Sequence, residues 1–61
     1  MEDLTIEEVN NAKETVLTVT TGSKTYYIDL LQDGKYGVSK DEKPLNKFQT
    51  LDQARLYIKS I

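Results

Sequence analysis

The stretch from Lys24 to Lys40, KTYYIDLLQDGKYGVSK, decides the fold: two runs rich in Tyr, Ile, Leu and Val flank an Asp33-Gly34 pair, the pattern of a β-hairpin. A two-residue loop at Asp33-Gly34 would set Leu31 across from Tyr36 and Asp29 across from Val38, mixing charge into an apolar face. A three-residue loop, Gln32-Asp33-Gly34, with the glycine left-handed, pairs Leu30 with Tyr36 and Ile28 with Val38 instead. Upstream, Gly22-Ser23 suits a two-residue type II′ turn, which sets Val19 opposite Tyr26 and Leu17 opposite Ile28. Only the three-residue loop is compatible with that first hairpin. One face then collects Leu17, Val19, Tyr26, Ile28, Leu30, Tyr36 and Val38, the expected core. The other carries Val16, Thr18, Thr20, Thr25, Tyr27, Asp29, Leu31, Lys35, Gly37 and Ser39.

Outside this meander the chain shows two helix signals. Thr50 and Gln53 form a capping-box pattern, after which Leu51, Ala54, Tyr57, Ile58 and Ile61 recur on one stripe at helical spacing. Leu56 falls outside that stripe. At the N-terminus Thr5 and Glu8 repeat the capping box, which predicts a short helix from Ile6 to about Ala12; a strand through Leu4 and Ile6 is the competing reading of residues 4 to 12. The single proline, Pro44, lies in KDEKPLNK, a polar segment expected to be a connecting loop. The predicted fold is α+β: a three-stranded antiparallel meander with the C-terminal helix packed on one face and a short N-terminal helix or strand beside it. Residues 1 to 61 are expected to form a single domain.

A chain of 61 residues buries only about 60% of the surface its unfolded form exposes. It contains no cysteine, so no disulfide or thiolate metal site supplements the core, and a reducing cytoplasm is the expected location. The beginning, MEDLTIEEVNN, is acidic where a signal peptide would be basic, and no run approaches the roughly 20 apolar residues of a membrane span; a soluble, unprocessed protein is expected. Residues 1–23 carry a net −4 and residues 24–61 a net +2. Neither that balance nor a pI near 4.9 suits a polyanion binder.

Most enzyme chemistry lacks its residues. The absence of histidine and cysteine removes the commonest general base, the thiol nucleophile and nearly all transition-metal ligand sets. Ser23, Ser39 and Ser60 have no base to activate them. Asp41-Glu42, the nearest carboxylate pair, lies among lysines, which favours a solvated surface over a tuned acid–base pair. Gly22, Gly34 and Gly37 match no phosphate-cradling loop, QDGKYGVSKDEK lacks the alternating acids of a calcium loop, and an enclosed pocket of the usual ~300 Å³ is not expected in so small a domain. No catalytic, cofactor-binding or metal-binding residue is assigned, and no cofactor.

Phe48, Thr50 and Ala54, in the pattern F-x-T-x-x-x-A after a hairpin, resemble the sheet-to-helix junction of small DNA-binding modules such as the N-terminal arm-binding domain of tyrosine integrases and the plant AP2 domain. The resemblance spans about Lys35 to Ile61 and implies a fold. Those families read DNA with Arg and Lys on the open sheet face, where this chain offers Lys35 alone, so their activity is not carried over. The order helix, three strands, helix also resembles a double-stranded RNA-binding domain, but TLDQAR has no counterpart of that family's lysine cluster.

A binding role follows from Thr15 to Ser23, a strand without a charged residue. As a sheet edge it would lack the lysine, proline or bulge that blocks strand addition. The chain is therefore expected to be a small non-enzymatic protein-interaction module that pairs with itself as a homodimer or adds a strand to a target's sheet. Its contacts would be Val16, Thr18, Thr20, Tyr27, Leu31 and Leu56. One variant is an inhibitor or adaptor of the sort phages and mobile elements encode, with Glu2, Asp3, Glu7 and Glu8 meeting a basic site. The competing structural expectation is that Leu4, Ile6 and Val9 fold back over the strand. The alternative function is weak nucleic-acid binding through Lys35, Lys40, Lys43 and Lys47.

Overall fold

Both turns close as the residue pattern requires. Thr21 pairs with Lys24 around Gly22-Ser23, where Gly22 has φ +61° and Ser23 stays out of the positive-φ region, as a type II′ turn needs. Around the second turn the Leu31 N–H donates to the Lys35 carbonyl at 2.8 Å, enclosing Gln32, Asp33 and a left-handed Gly34 at φ +84°. The pairs Val19–Tyr26, Leu17–Ile28, Ile28–Val38 and Leu30–Tyr36 all form in the expected register.

The computed structural model describes residues 2–41 and 43–61. In chain order these build β1 (Glu2–Asp3), α1 (Ile6–Asn10), β2 (Glu14–Thr21), β3 (Lys24–Leu30), β4 (Tyr36–Lys40), β5 (Lys43–Phe48) and α2 (Leu51–Ser60). The strands form one open antiparallel sheet in the order β1-β5-β4-β3-β2. The expected three-stranded meander is thus a sheet of four long strands with the two-residue β1 added at one side.

The fourth long strand, β5, occupies most of the segment expected to be a loop. Pro44 is tolerated there because the ladder slips between Val38–Asn46 and Ser39–Pro44, and because β1 pairs only with Asn46 and Lys47. The missing N–H therefore falls beside a bulge and on a stretch with no outer neighbour, the two places a sheet accepts proline. Leu45, the extra residue of that bulge, packs against the core. A second bulge lies between Thr15 and Leu17. It turns Val16 to the core side as well, which corrects its placement on the polar face: a bulge breaks the strict alternation that assigned it there.

The core forms between the sheet and α2. Tyr26, Ile28 and Val38 meet Ala54 and Ile58, and Phe48 stacks against Tyr57 with ring centroids 5.1 Å apart. The Thr50 hydroxyl caps α2 by accepting from the Gln53 N–H at 3.2 Å; the Gln53 side chain reaches back to the Gln49 N–H, one residue beyond the cap. Of the expected stripe, Ile61 is 57% exposed, since the helix ends at Ser60.

The N-terminal segment takes the helical alternative, a one-turn helix that stops short of Ala12; the competing strand through Leu4 and Ile6 does not form, and the two-residue β1 precedes both. Thr5 and Glu8 form the reciprocal capping box. This segment does not fold back over β2. It lies at the opposite side of the sheet, with β1 on β5.

Candidate functional site

Each strand of an antiparallel sheet presents backbone groups alternately to its two neighbours. In β3 the Thr25 carbonyl accepts from the Asp41 N–H, and Leu31 donates to Lys35, so the odd-numbered residues of β3 turn toward β4. Lys24, Tyr26 and Ile28 accordingly turn toward β2, where their partners are Thr21, Val19 and Leu17. This leaves the N–H and C=O groups of Thr18 and Thr20 directed away from the sheet, because β2 is its last strand. The segment Leu17–Thr21 carries no charge or proline, and its one blocking device is the bulge at Val16, just before it.

The expected contact residues separate. Thr18 and Thr20 are exposed on this edge, and half-buried Tyr27 is the cross-strand partner of Thr18. Val16 packs inward. Leu31, at 2% exposure, is buried and not a surface contact. Leu56 is 64% exposed on the outer side of α2, beside a cleft lined by Asp52, Arg55 and Lys59, away from the β2 edge.

Leu31 is buried because the sheet face opposite α2 is partly covered. Gly37 leaves room for Leu4: a Cβ there would lie 3.0 Å from both Leu4 methyls and 3.3 Å from Leu31 Cδ2. Asp29 is buried beside this contact and accepts from the Thr15 hydroxyl at 2.7 Å. Among the described residues no buried side-chain nitrogen or oxygen lacks a partner. The buried polar residues on this face, Asp29 and Ser39, are therefore structural.

Lys47 fastens the N-terminal segment down. Its Nζ lies 2.6 Å from Glu8 Oε2 and 3.6 Å from Asp33 Oδ2, and Gln32 Nε2 donates to the Asn11 carbonyl at 2.8 Å. Between α1 and the β3–β4 turn this leaves an open groove of about 530 Å³, lined by Glu7, Glu8, Asn11, Gln32 and Asp33 with Leu31 beneath. No local pattern announces this groove, since its walls are more than twenty residues apart in the chain. Among the described residues no group of three His, Cys, Asp or Glu side chains could hold a metal ion.

The hydrogen bond from Lys47 holds the Glu8 carboxyl below its ordinary 4.5, helped by the Thr5 backbone N–H. A depressed carboxyl pKa adds stability that is present above the ordinary value and lost as pH falls through the folded one. The difference in melting temperature between the native chain and Glu8→Gln is therefore expected to be largest at neutral pH and to shrink once the pH drops below about 4.5. A difference independent of pH between neutral and acid would show that the ion pair contributes nothing.

The lysines of the alternative reading do not form one patch. Lys40 and Lys43 are cross-strand partners at the end of the sheet shared with Lys24, whereas Lys35 and Lys47 belong to the other end, where Lys47 meets Glu8 and Asp33.

No protein-family model, curated protein or solved structure matches this chain. Among the described residues no helix is long and apolar enough to cross a membrane.

Proposed function

We propose that this chain is a non-enzymatic protein-interaction module that binds by strand addition at β2. The observation that carries this reading is the outer edge of Leu17–Thr21, where Thr18 and Thr20 offer backbone donors and acceptors to no strand among the described residues. Extended segments dock on such edges through main-chain hydrogen bonds, with alternate side chains supplying selectivity. Thr18 and Thr20 would meet the incoming strand on one face, with Leu17, Val19 and Thr21 on the face that bears α2.

Thr18→Pro tests this directly, since it removes an outward N–H while leaving the β2–β3 ladder intact. The substituted chain should fold, with stability within about 1 kcal/mol of the native chain. Immobilised native chain is expected to retain specific proteins from an extract of its host, further copies of itself included, and Thr18→Pro to lose them. Identical retention by both, or none by either, would overturn the reading.

A further inference from the structure

We infer that the strand added at β2 is the β2 of a second copy, running antiparallel about a two-fold axis at Val19; this rests on the strand-addition reading. The alternation of outward groups restricts the register. Only Thr18 and Thr20 face outward within the regular segment, so a symmetric antiparallel pair must match these positions with each other or with the next outward ones. An axis at Thr18 would require the bulged Val16 opposite Thr20, and an axis at Thr20 would require Gly22, inside the turn, opposite Thr18. An axis at Val19 uses neither. It pairs Thr18 with the second copy's Thr20 twice over, giving four backbone hydrogen bonds, and brings the two half-buried Val19 side chains together across a close, non-hydrogen-bonded position.

Charge favours the antiparallel direction of this pairing. Glu14 and Lys24 are the first charged residues met on either side of the neutral span, each five positions from Val19. Both are exposed, and neither is in an ion pair among the described residues. Glu14 pairs with Leu30, and Lys24 is two residues from Tyr26, so both side chains stand on the face that bears α2. With the axis at Val19, Leu17 of one copy lies opposite Thr21 of the other. Lys24 is then two strand spacings across and two residue steps along from the second copy's Glu14. At ~4.8 Å and ~3.4 Å these place the two Cα atoms roughly 12 Å apart, close enough for the extended side chains to meet. Symmetry makes two such pairs. A parallel arrangement would instead set the Glu14 ends together and the Lys24 ends together. The five-residue edge is short for the ~1,200 Å² that stable complexes bury, so the dimer should be transient, with Kd on the order of 0.1 mM.

Sedimentation equilibrium up to about 1 mM protein at low salt, with folding verified by circular dichroism, tests the arrangement. The native chain is expected to show a monomer–dimer equilibrium, and Thr18→Pro to remain monomeric. Glu14→Lys and Lys24→Glu should each weaken the dimer about tenfold, and the two together should restore it to within about threefold of native, since each single exchange breaks both symmetry-related pairs and exposed pairs contribute modestly. A native chain that stays monomeric overturns the second copy as occupant; the strand-addition reading then survives if Thr18→Pro still abolishes retention of a host protein. A dimer indifferent to the charge exchanges, or one in which the double exchange is as weak as the singles, overturns the antiparallel direction.

Discussion

Ile28→Ala is expected to leave most of the chain unfolded at room temperature. Ile28 is fully buried, sits between Leu17 and Val38 in the centre of the ladder and packs in the cluster that Ala54 and Ile58 of α2 complete. Truncating a buried isoleucine costs about 2–5 kcal/mol, from the lost transfer energy and from the cavity left behind. A core of this size rarely supplies more than ~3–5 kcal/mol, and no cysteine is present to reinforce it. One side chain therefore commands a large part of the total. Urea titration followed by far-ultraviolet circular dichroism is the measurement. A variant that keeps a cooperative transition with a loss below about 1 kcal/mol would mean that α2 is not held on this face.

Leu31→Ala is the second large effect, and it separates two accounts of one residue. As a binding contact on an open face, Leu31 could be truncated with little consequence for folding. As the buried neighbour of Gly37 and Leu4, it should cost about 2–4 kcal/mol on truncation, loosening the closure of the N-terminal segment on the sheet. Self-association at β2, compared at equal folded fraction, should be unchanged, because Leu31 lies beyond the end of β3, four residues past Tyr27, the cross-strand partner of Thr18. Native-like stability combined with weakened association would return Leu31 to the surface.

These two residues show how differently the two faces of the sheet could be read. Ile28 is legible because its neighbours obey a period of two and because each turn admits a single register that keeps charge off the face. Leu31 follows the same alternation, but its burial depends on Leu4, which comes from the other end of the chain and reaches it only because Gly37 has no side chain in the way. Val16 and Leu45 were obscured for a local reason: each is the extra residue of a bulge, and a bulge shifts the alternation by which faces are assigned. β5 was obscured twice over, by that bulge and by a proline that would be excluded from an interior position of a fully paired strand. The polar edge residues Thr18 and Thr20 were legible as surface. That their backbone groups meet no strand among the described residues was not, because it depends on which side of the sheet the N-terminal segment joins.

Local residue patterns settle the two unlike turns, the register of β2, β3 and β4, both helix caps and the apolar stripe that lays α2 across Tyr26, Ile28 and Val38. Each of these is decided within a few residues, by left-handed glycines, by side-chain oxygens that satisfy free N–H groups and by spacing. Long-range packing sets the rest: that Lys43–Phe48 is a strand, that Leu4 and Leu31 meet over Gly37 on the second face, and that β1 takes the side of β5 and leaves β2 at the edge. Those outcomes depend on pairings between segments tens of residues apart, such as Glu2 with Lys47 and Glu8 with the same lysine. Such a pairing is a competition among distant partners for one set of backbone and charged groups, and no local pattern records which of them wins.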